Sequence, residues 1–583
     1  MPSRYEQHIK TLGSGGGPPP SVSDHFAPKY LVGNTVAGDP AVGSGPPFRY
    51  IPDPGDGSGI ATALTQPDGP GDIWIRPGTY TLTAVLPTVP AGVLVRGSGR
   101  DTTIIVGLSA GDQRVFALSA GSGLHDMTVQ SPAPTGATAG STAMISCTDS
   151  VSLERLTLEI NPSAGSTLRD AVYMTGGAGP PPGSNASDIL IRVGGDGTVP
   201  GRGLHMEGVQ PNPSPFLLAR NIEIYGDGGL TVGAFIEDAV LVCSQLLVFE
   251  FTDTGVAWTT PSGNGGGSLR IDEGAMQTSV GSALTIGVTV QGSGHVLRSL
   301  AISCNNTVGD TGIRLVGPDQ ASINAVEIDD CLVTNFANGI VGGENALTTT
   351  SFGSNTISDC LVFAASRGIW LSGPSVTSNQ IVDNQVEISS PGSPPPIGGI
   401  IIDDDPQAGA ASNTIKGNIV NVNGGGGGAT VHGIRCASQL SVIEGNIVNV
   451  NEGGYCITLE DGAERTTVTG NVCTSNGDSL GCIYQAAAAN PVVRCVVNGN
   501  SCTSNYSADP VAGIPAAIVL EGRASVASNN TIFTGTPSGD SPGITLTATT
   551  NNSNVVGNVC EGSASLAVND LGALNNVSNN IGV

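Results

Sequence analysis

Charge is scarce in this sequence, and what there is has mostly one sign. Only 12% of its 583 residues are charged, and 48 acidic side chains stand against 22 basic ones, a net charge of −26. That balance excludes a protein that holds nucleic acid through phosphate contacts. Long apolar runs are missing as well. No stretch of 18 consecutive apolar residues occurs, so no membrane insertion by a spanning helix is expected. Met1 to Gly13 reads MPSRYEQHIKTLG, without the apolar centre of a secretory signal. The expected route is synthesis in a host cytoplasm and release without a signal, as for a virion freed by lysis. Aromatic residues make up 4%, too few for an ordinary globular core but enough where a thin core is filled by stacked aliphatics. The 12 cysteines contain no CxxC spacing, which excludes the common zinc modules. No cofactor and no metal ligand set is expected. Nor does any apolar pattern hold the i, i+3, i+4, i+7 period long enough for a core helix.

What the chain has is a repeat. Gly417-Asn418, Gly445-Asn446, Gly470-Asn471, Gly499-Asn500, Asn529-Asn530, Gly557-Asn558 and Asn579-Asn580 follow one another at intervals of 28, 25, 29, 30, 28 and 22 residues. A period in this range is the signature of a solenoid. After each Asn comes a β-rich run such as Ile419-Val420-Asn421-Val422 or Ile447-Val448-Asn449-Val450. Further on comes a second run, Gly368-Ile369-Trp370-Leu371, Gly399-Ile400-Ile401-Ile402 or Gly433-Ile434-Arg435-Cys436. With a third, weaker strand these make one turn of an all-β, right-handed parallel β-helix. Stacked turns place equivalent residues above one another about 4.8 Å apart. A column of Asn then bonds amide to amide, as in cross-β ladders. Cys473, Cys502 and Cys560 keep the register of the repeat, as do Cys456 and Cys482, so they are expected to point inward as small apolar residues. Trp370 is expected to face outward beside an inward Ile369.

Three regions are expected. Residues 1–46 form a Gly/Pro-rich tail without the repeat, either exposed or an anchoring peptide that orders on a partner. Residues 47–106 form the entrance and cap, with a short helix around Ile60 to Leu64. Residues 107–583 form the parallel β-helix, with side loops at 180–183, 211–215, 391–397 and 424–428.

The entrance carries Gly55-Asp56-Gly57, then Ile73-Trp74-Ile75-Arg76-Pro77-Gly78-Thr79-Tyr80-Thr81-Leu82. Leu94-Val95-Arg96-Gly97-Ser98-Gly99 and Thr102-Thr103-Ile104 follow. This order resembles the N-terminal part of pectate-lyase-like β-helix proteins, most of all those of phage tailspikes and related virion proteins. It departs from them at Ser58-Gly59-Ile60-Ala61-Thr62-Ala63-Leu64, where the family often has an acidic, Thr-containing segment. The resemblance covers roughly residues 50–110 by motif. It implies a rod-shaped virion protein, a homotrimer, attachment to other virion proteins through the tail, and contact with host polysaccharide. It also implies alternatives: a polysaccharide hydrolase or lyase on the same rod, or a non-viral adhesin-like β-helix.

Hydrolases of this kind use paired carboxylates. Asp403, Asp404 and Asp405 follow the strand Ile400-Ile401-Ile402, and Glu460 and Asp461 stand at the same offset two turns on. That is about 9–10 Å away, near the spacing of an inverting pair. His432 and Arg435 lie on the turn between. The candidate catalytic residues are therefore Asp403, Asp404, Glu460, Asp461, His432 and Arg435. The same positions open a turn, where Asp is favoured for local hydrogen bonding, and both readings stand at this point. The NTD, DD, GHG and RIK clusters of galacturonan hydrolases do not occur as a set.

Overall fold

In the computed structural model the described residues run from 49 to 582, except 52–54, 56, 66–71, 133–141, 149, 163–165, 177–182, 196–198, 209–214, 261–266, 279–284, 305–308, 317–322, 344–350, 390–396, 405–410, 424–430, 452, 461, 478, 487–492, 507–515, 536–541 and 563–566. The expected tail lies outside them, and so does most of each expected side loop.

The chain winds as the expected parallel β-helix, and every strand pairing is parallel to the equivalent strand of the neighbouring turn. Three sheets result. The first stacks Ile415, Ile443, Val468, Val497, Ala527 and Val555. The second stacks Val420, Val448, Cys473, Cys502, Ile532 and Cys560. The third stacks Ile369, Ile400, Ile434, Ile457, Ile483, Ile518 and Ile544. Strand alternation explains the choice. Every second side chain of each strand points into the rod, and β-branched residues fill a pleated surface well. Each such burial removes apolar surface worth about 1.5–3 kcal/mol from water. All 12 cysteines are buried, those of the repeat in these inward columns as expected. Ile369 is buried and Trp370 faces outward. At the entrance a helix spans Ser58–Thr65, and its Ile60, Ala63 and Leu64 join the same core as Ile73 and Ile75.

Neighbouring sheets meet at corners that require a left-handed residue. At the corner between the first and second sheets that residue is Asp126, Arg155, Asp188, Asn221, Ser299, Asp330, Asp359 and Asp383 in the earlier turns. It is Gly417, Gly445, Gly470, Gly499, Asn529, Gly557 and Asn579 in the later ones. The residue after it points inward. In the earlier turns it is apolar, as with Met127, Leu156, Ile189, Ile222 and Leu300, or it is Cys331 or Cys360. From Asn384 onward it is asparagine. The amide Nδ2 of Asn418 donates to Asn446 Oδ1 at 2.9 Å and to the Ile381 carbonyl at 2.9 Å. Asn446 repeats this toward Asn471, Asn471 toward Asn500, and Asn500 toward Asn530. The row begins one turn before the repeat visible in sequence, at Asn384, whose Oδ1 accepts the Cys360 N–H.

A second, shorter row was not foreseen. Asn355, Asn379 and Asn413 occupy the corner between the third and first sheets, with Nδ2 of each reaching the next at 2.9 and 3.0 Å. The row then passes to Ser438 Oγ at 2.7 Å. Its sequence signal is the recurring Ser-Asn-x-Ile of Ser354 to Ile357, Ser378 to Ile381 and Ser412 to Ile415.

Candidate functional site

The outer face of the third sheet places the expected acidic column. Ile402, Cys436 and Leu459 are register partners, so Asp403 and Glu460 stand two turns apart with Ala437 between them, as the spacing predicts. Arg435 joins them. Its guanidinium lies 3.1 Å from Asp403 Oδ1 and 2.5 Å from Glu460 Oε2. Asp403 also accepts from Trp370 Nε1 at 3.0 Å, while Arg367 stacks over the Trp370 ring at 4.1 Å. Burial pushes the Asp403 carboxyl up from its usual range, and Arg435 works against that shift. His432 sits on the same face, with Nδ1 2.8 Å from Thr458 Oγ1. Its burial lowers its pKa to about 4, so it is neutral near pH 7. Asp404 ends the strand Ile397–Asp404, and its side chain lies outside the described residues; Asp405 and Asp461 lie outside them altogether. The structure therefore brings Asp403, Arg435 and Glu460 together as an ion triad. His432 is a buried neighbour of that triad.

A different surface lies on the outer face of the second sheet, in the earlier turns. The strands Ser152–Ile160, Ser184–Val193, Phe216–Gly226 and Leu246–Phe251 stack there. Their outward positions align Glu159, Arg192, Tyr225 and Phe249 in one row, and Leu190 and Glu223 in the next. The Tyr225 and Phe249 rings stack at 5.0 Å with planes 23° apart. Glu223 accepts from the Tyr225 hydroxyl at 3.5 Å. Burial and then Glu223 push that hydroxyl's pKa up, so it keeps its proton at neutral pH. At Glu250 the register shifts between Phe249 and Phe251, and φ is 61°. This bulge turns the extra carboxylate onto the wall of the groove. Gly226 forms part of the floor. A Cβ there would meet the Glu250 carbonyl at 2.3 Å, so only glycine allows the turns to close.

None of the groove residues stood out in the sequence, although the strands that carry them did. The available signal was the alternation itself. Glu223-Ile224-Tyr225 and Leu158-Glu159-Ile160 alternate inward aliphatics with outward polar or aromatic groups.

Chemically the groove offers the Tyr225 ring, backed by Phe249 on the next turn, with hydrogen-bond acceptors on several sides and one guanidinium. Such a lining suits a polyhydroxylated, neutral or partly cationic ligand. Fold and groove together define a parallel β-helix with an open lateral groove. Among solved structures the chain is similar to the Dettilon tailspike protein, at 16% identity over 73% of this chain and 64% of that one, with a TM-score of 0.35. It is also similar to a tailspike double mutant of E. coli bacteriophage HK620 in complex with a pentasaccharide, at 10% identity, 91% and 77% coverage and a TM-score of 0.32. A third is the PL6 family alginate lyase AlyGC, at 11% identity, 92% and 100% coverage and a TM-score of 0.27. No protein-family model matches the sequence, and no curated protein matches it.

Proposed function

We propose that this chain is the rod of a surface spike or fibre of a phage or phage-like particle, and that it holds host-surface glycans in the groove of its earlier turns. The observation that carries the reading is the Tyr225 ring, held by stacking on Phe249, in a groove beside the Glu223 and Glu250 carboxylates. An aromatic face accepts the C–H side of a sugar ring while flanking acceptors take its hydroxyls. The Gly/Pro-rich tail attaches the rod to other virion proteins, and the assembled spike is a homotrimer.

Binding of labelled capsular and lipopolysaccharide fragments to the full chain tests the glycan contact. Tyr225→Ala and Phe249→Ala should each weaken binding by roughly tenfold or more, about 1.4 kcal/mol, with the β-sheet spectrum unchanged. Absence of binding across a broad glycan panel would sink the proposal. Deleting residues 1–46 should abolish incorporation into particles, and normal incorporation would remove the anchoring role.

A second reading, polysaccharide cleavage, has one observation in its favour. Asp403 is a buried carboxyl that holds its proton more readily than usual, two turns from Glu460. These are the attributes of an acid and its partner in glycoside hydrolysis. Against it, Arg435 occupies both carboxylates. New reducing ends or unsaturated products, lost in Asp403→Asn, would favour this reading over passive binding.

A further inference from the structure

The outer face of the third sheet carries another cluster in the earlier turns, separate from the glycan groove. The strands Asp170–Thr175, Gly201–Glu207 and Leu230–Glu237 align Tyr173 with His205 and Phe235, and Thr175 with Glu207 and Glu237. Between these outward side chains Met174, Met206 and Ile236 point into the core.

Asp170 is fully buried, and its carboxylate accepts from Arg202 at 2.5 and 3.2 Å. A carboxylate paired with a guanidinium only accepts, so His205 Nδ1, 3.3 Å away, is the donor in their contact. That assignment fixes the ring. Nε2 then faces Glu237 Oε2 at 3.4 Å, and Glu207 completes the group. One ligand atom from each of His205, Glu207 and Glu237 lies within 4.8 Å of the others. The Tyr173 hydroxyl donates to Glu207 and holds that carboxylate beside the ring. Tyr173 and Phe235 pack against the imidazole at 4.8 and 5.3 Å.

In this arrangement a neutral imidazole would aim its lone pair at two carboxylates. Three acceptors would converge, with Tyr173 donating to Glu207 but no proton between the ring and Glu237. A proton on Nε2 or a cation among the three resolves the conflict. The spacing favours a cation. Two ligands each about 2.1 Å from a tetrahedral zinc ion lie about 3.4 Å apart. A carboxylate on the far nitrogen is also the usual device that orients an imidazole ligand and raises its basicity.

We propose that His205 Nε2, Glu207 and Glu237 form a binding site for a divalent transition-metal ion of the zinc class, with Asp170, Arg202 and Tyr173 as positioning residues. One histidine nitrogen and two carboxylates leave a fourth position for water. The ion ties Gly201–Glu207 to Leu230–Glu237, two adjacent turns, and neutralises the outer carboxylates. It competes with the proton on Nε2.

The test is calorimetric titration of the EDTA-treated full chain with ZnCl2, paired with the visible absorption of the chain loaded with Co2+. The expected result is one ion per chain and the d–d bands of a low-coordinate cobalt site. CaCl2 and MgCl2 should not compete. His205→Ala and Glu237→Gln should each weaken binding at least about 100-fold, and Asp170→Asn by about tenfold. His125→Gln, at another His–Glu pair, should leave the stoichiometry unchanged. No zinc heat and no cobalt bands in the unmodified chain would overturn the proposal and leave His205 as an imidazolium between its carboxylates. Binding that survives both His205→Ala and Glu237→Gln would overturn it equally. The unmodified chain gives the cobalt readout whether or not a variant folds.

Discussion

The turns before Cys360 and those after Asn384 solve the same corner in opposite ways. In the earlier turns the inward corner residue is apolar, and the left-handed residue beside it carries a polar side chain that reaches its neighbour from outside. Asn221 Nδ2 donates to Asp188 Oδ1 at 2.9 Å, and Arg155 pairs with Asp126 at 2.5 Å. In the later turns the left-handed residue is mostly glycine, and the turns are tied from inside by asparagine. The difference reaches the surface. The earlier turns bear the lateral groove and the His205 cluster, whereas the later ones bear Asn, Thr and aliphatic columns, broken by the Arg435 triad and by the stacked Tyr455 and Tyr484 rings.

The strongest way to break this contrast is to exchange the corners. Asn446→Leu removes the acceptor of Asn418 and the donor to Asn471 and Ile415. Several buried polar groups lose partners at once, and a loss of about 4 kcal/mol is expected in denaturant unfolding. Ile222→Leu at the equivalent earlier corner should cost less than about 1.5 kcal/mol. Equal effects would erase the distinction.

Next in size is Arg435→Met. It strands the Asp403 and Glu460 carboxylates, and a loss of about 3 kcal/mol is expected at pH 7. The loss should shrink in acid, where Asp403 takes up a proton. A pH-independent loss would show that the guanidinium contributes packing rather than charge.

Acid separates the regions further. Burial lowers His432 and His295 to about 4. Their folded pKa values lie below the unfolded value of about 6.5, so each contributes stability above pH 6.5 that is lost as pH falls toward 4, up to about 3 kcal/mol per ring. His205 runs the other way. Burial would lower its pKa, but in the metal-free chain hydrogen bonds donated to Asp170 and Glu237 raise it above the usual value. Its contribution is present below pH 6.5 and is lost as pH climbs through the raised value. Hydrogen exchange of the EDTA-treated chain, corrected for intrinsic rates, should show Val431–Cys436 loosening in acid while Gly201–Glu207 tightens. Parallel responses would contradict the assigned environments, and His432→Gln should abolish the first.

The smallest effect sharpens the role of glycine. Gly445 has φ 64°, and a Cβ there would touch nothing within 4 Å. Gly445→Ala should therefore cost about 1 kcal/mol, from backbone conformation alone. Asp359→Gly, at φ 52°, should change stability by only a few tenths, because the greater chain freedom of unfolded glycine offsets the relaxed backbone and the relief from Asp329, Asp383 and Asp330. A larger loss at Asp359 would mean that its outer contacts outweigh the backbone.

The winding was legible because stacking copies residue identity from turn to turn. Gly-Ile strands, inward cysteines and the Asn column recur at equivalent positions for one physical reason. The offset of Asp403 and Glu460 followed from the same register. The groove and the His205 cluster were hidden because outward positions carry no such constraint. His205 and Glu207 are two residues apart, which is ordinary strand alternation. Their partners Asp170 and Glu237 are about one turn away in each direction, at distances set by inserts of irregular length. Attention falls on the regular later turns, while the more varied chemistry stands on the irregular earlier ones.

The asparagine row has one more property. Each Nδ2 donates forward to the Oδ1 of the following turn, from Asn384 through Asn558, and none of these bonds runs backward. The amides are therefore a file of dipoles with a common heading, each polarised by the one behind it. A newly wound turn is met by two waiting donors, a backbone N–H and an amide hydrogen, that accept only a carbonyl oxygen at one height. The rod thus carries an internal arrow that sets the register of every turn laid on the last.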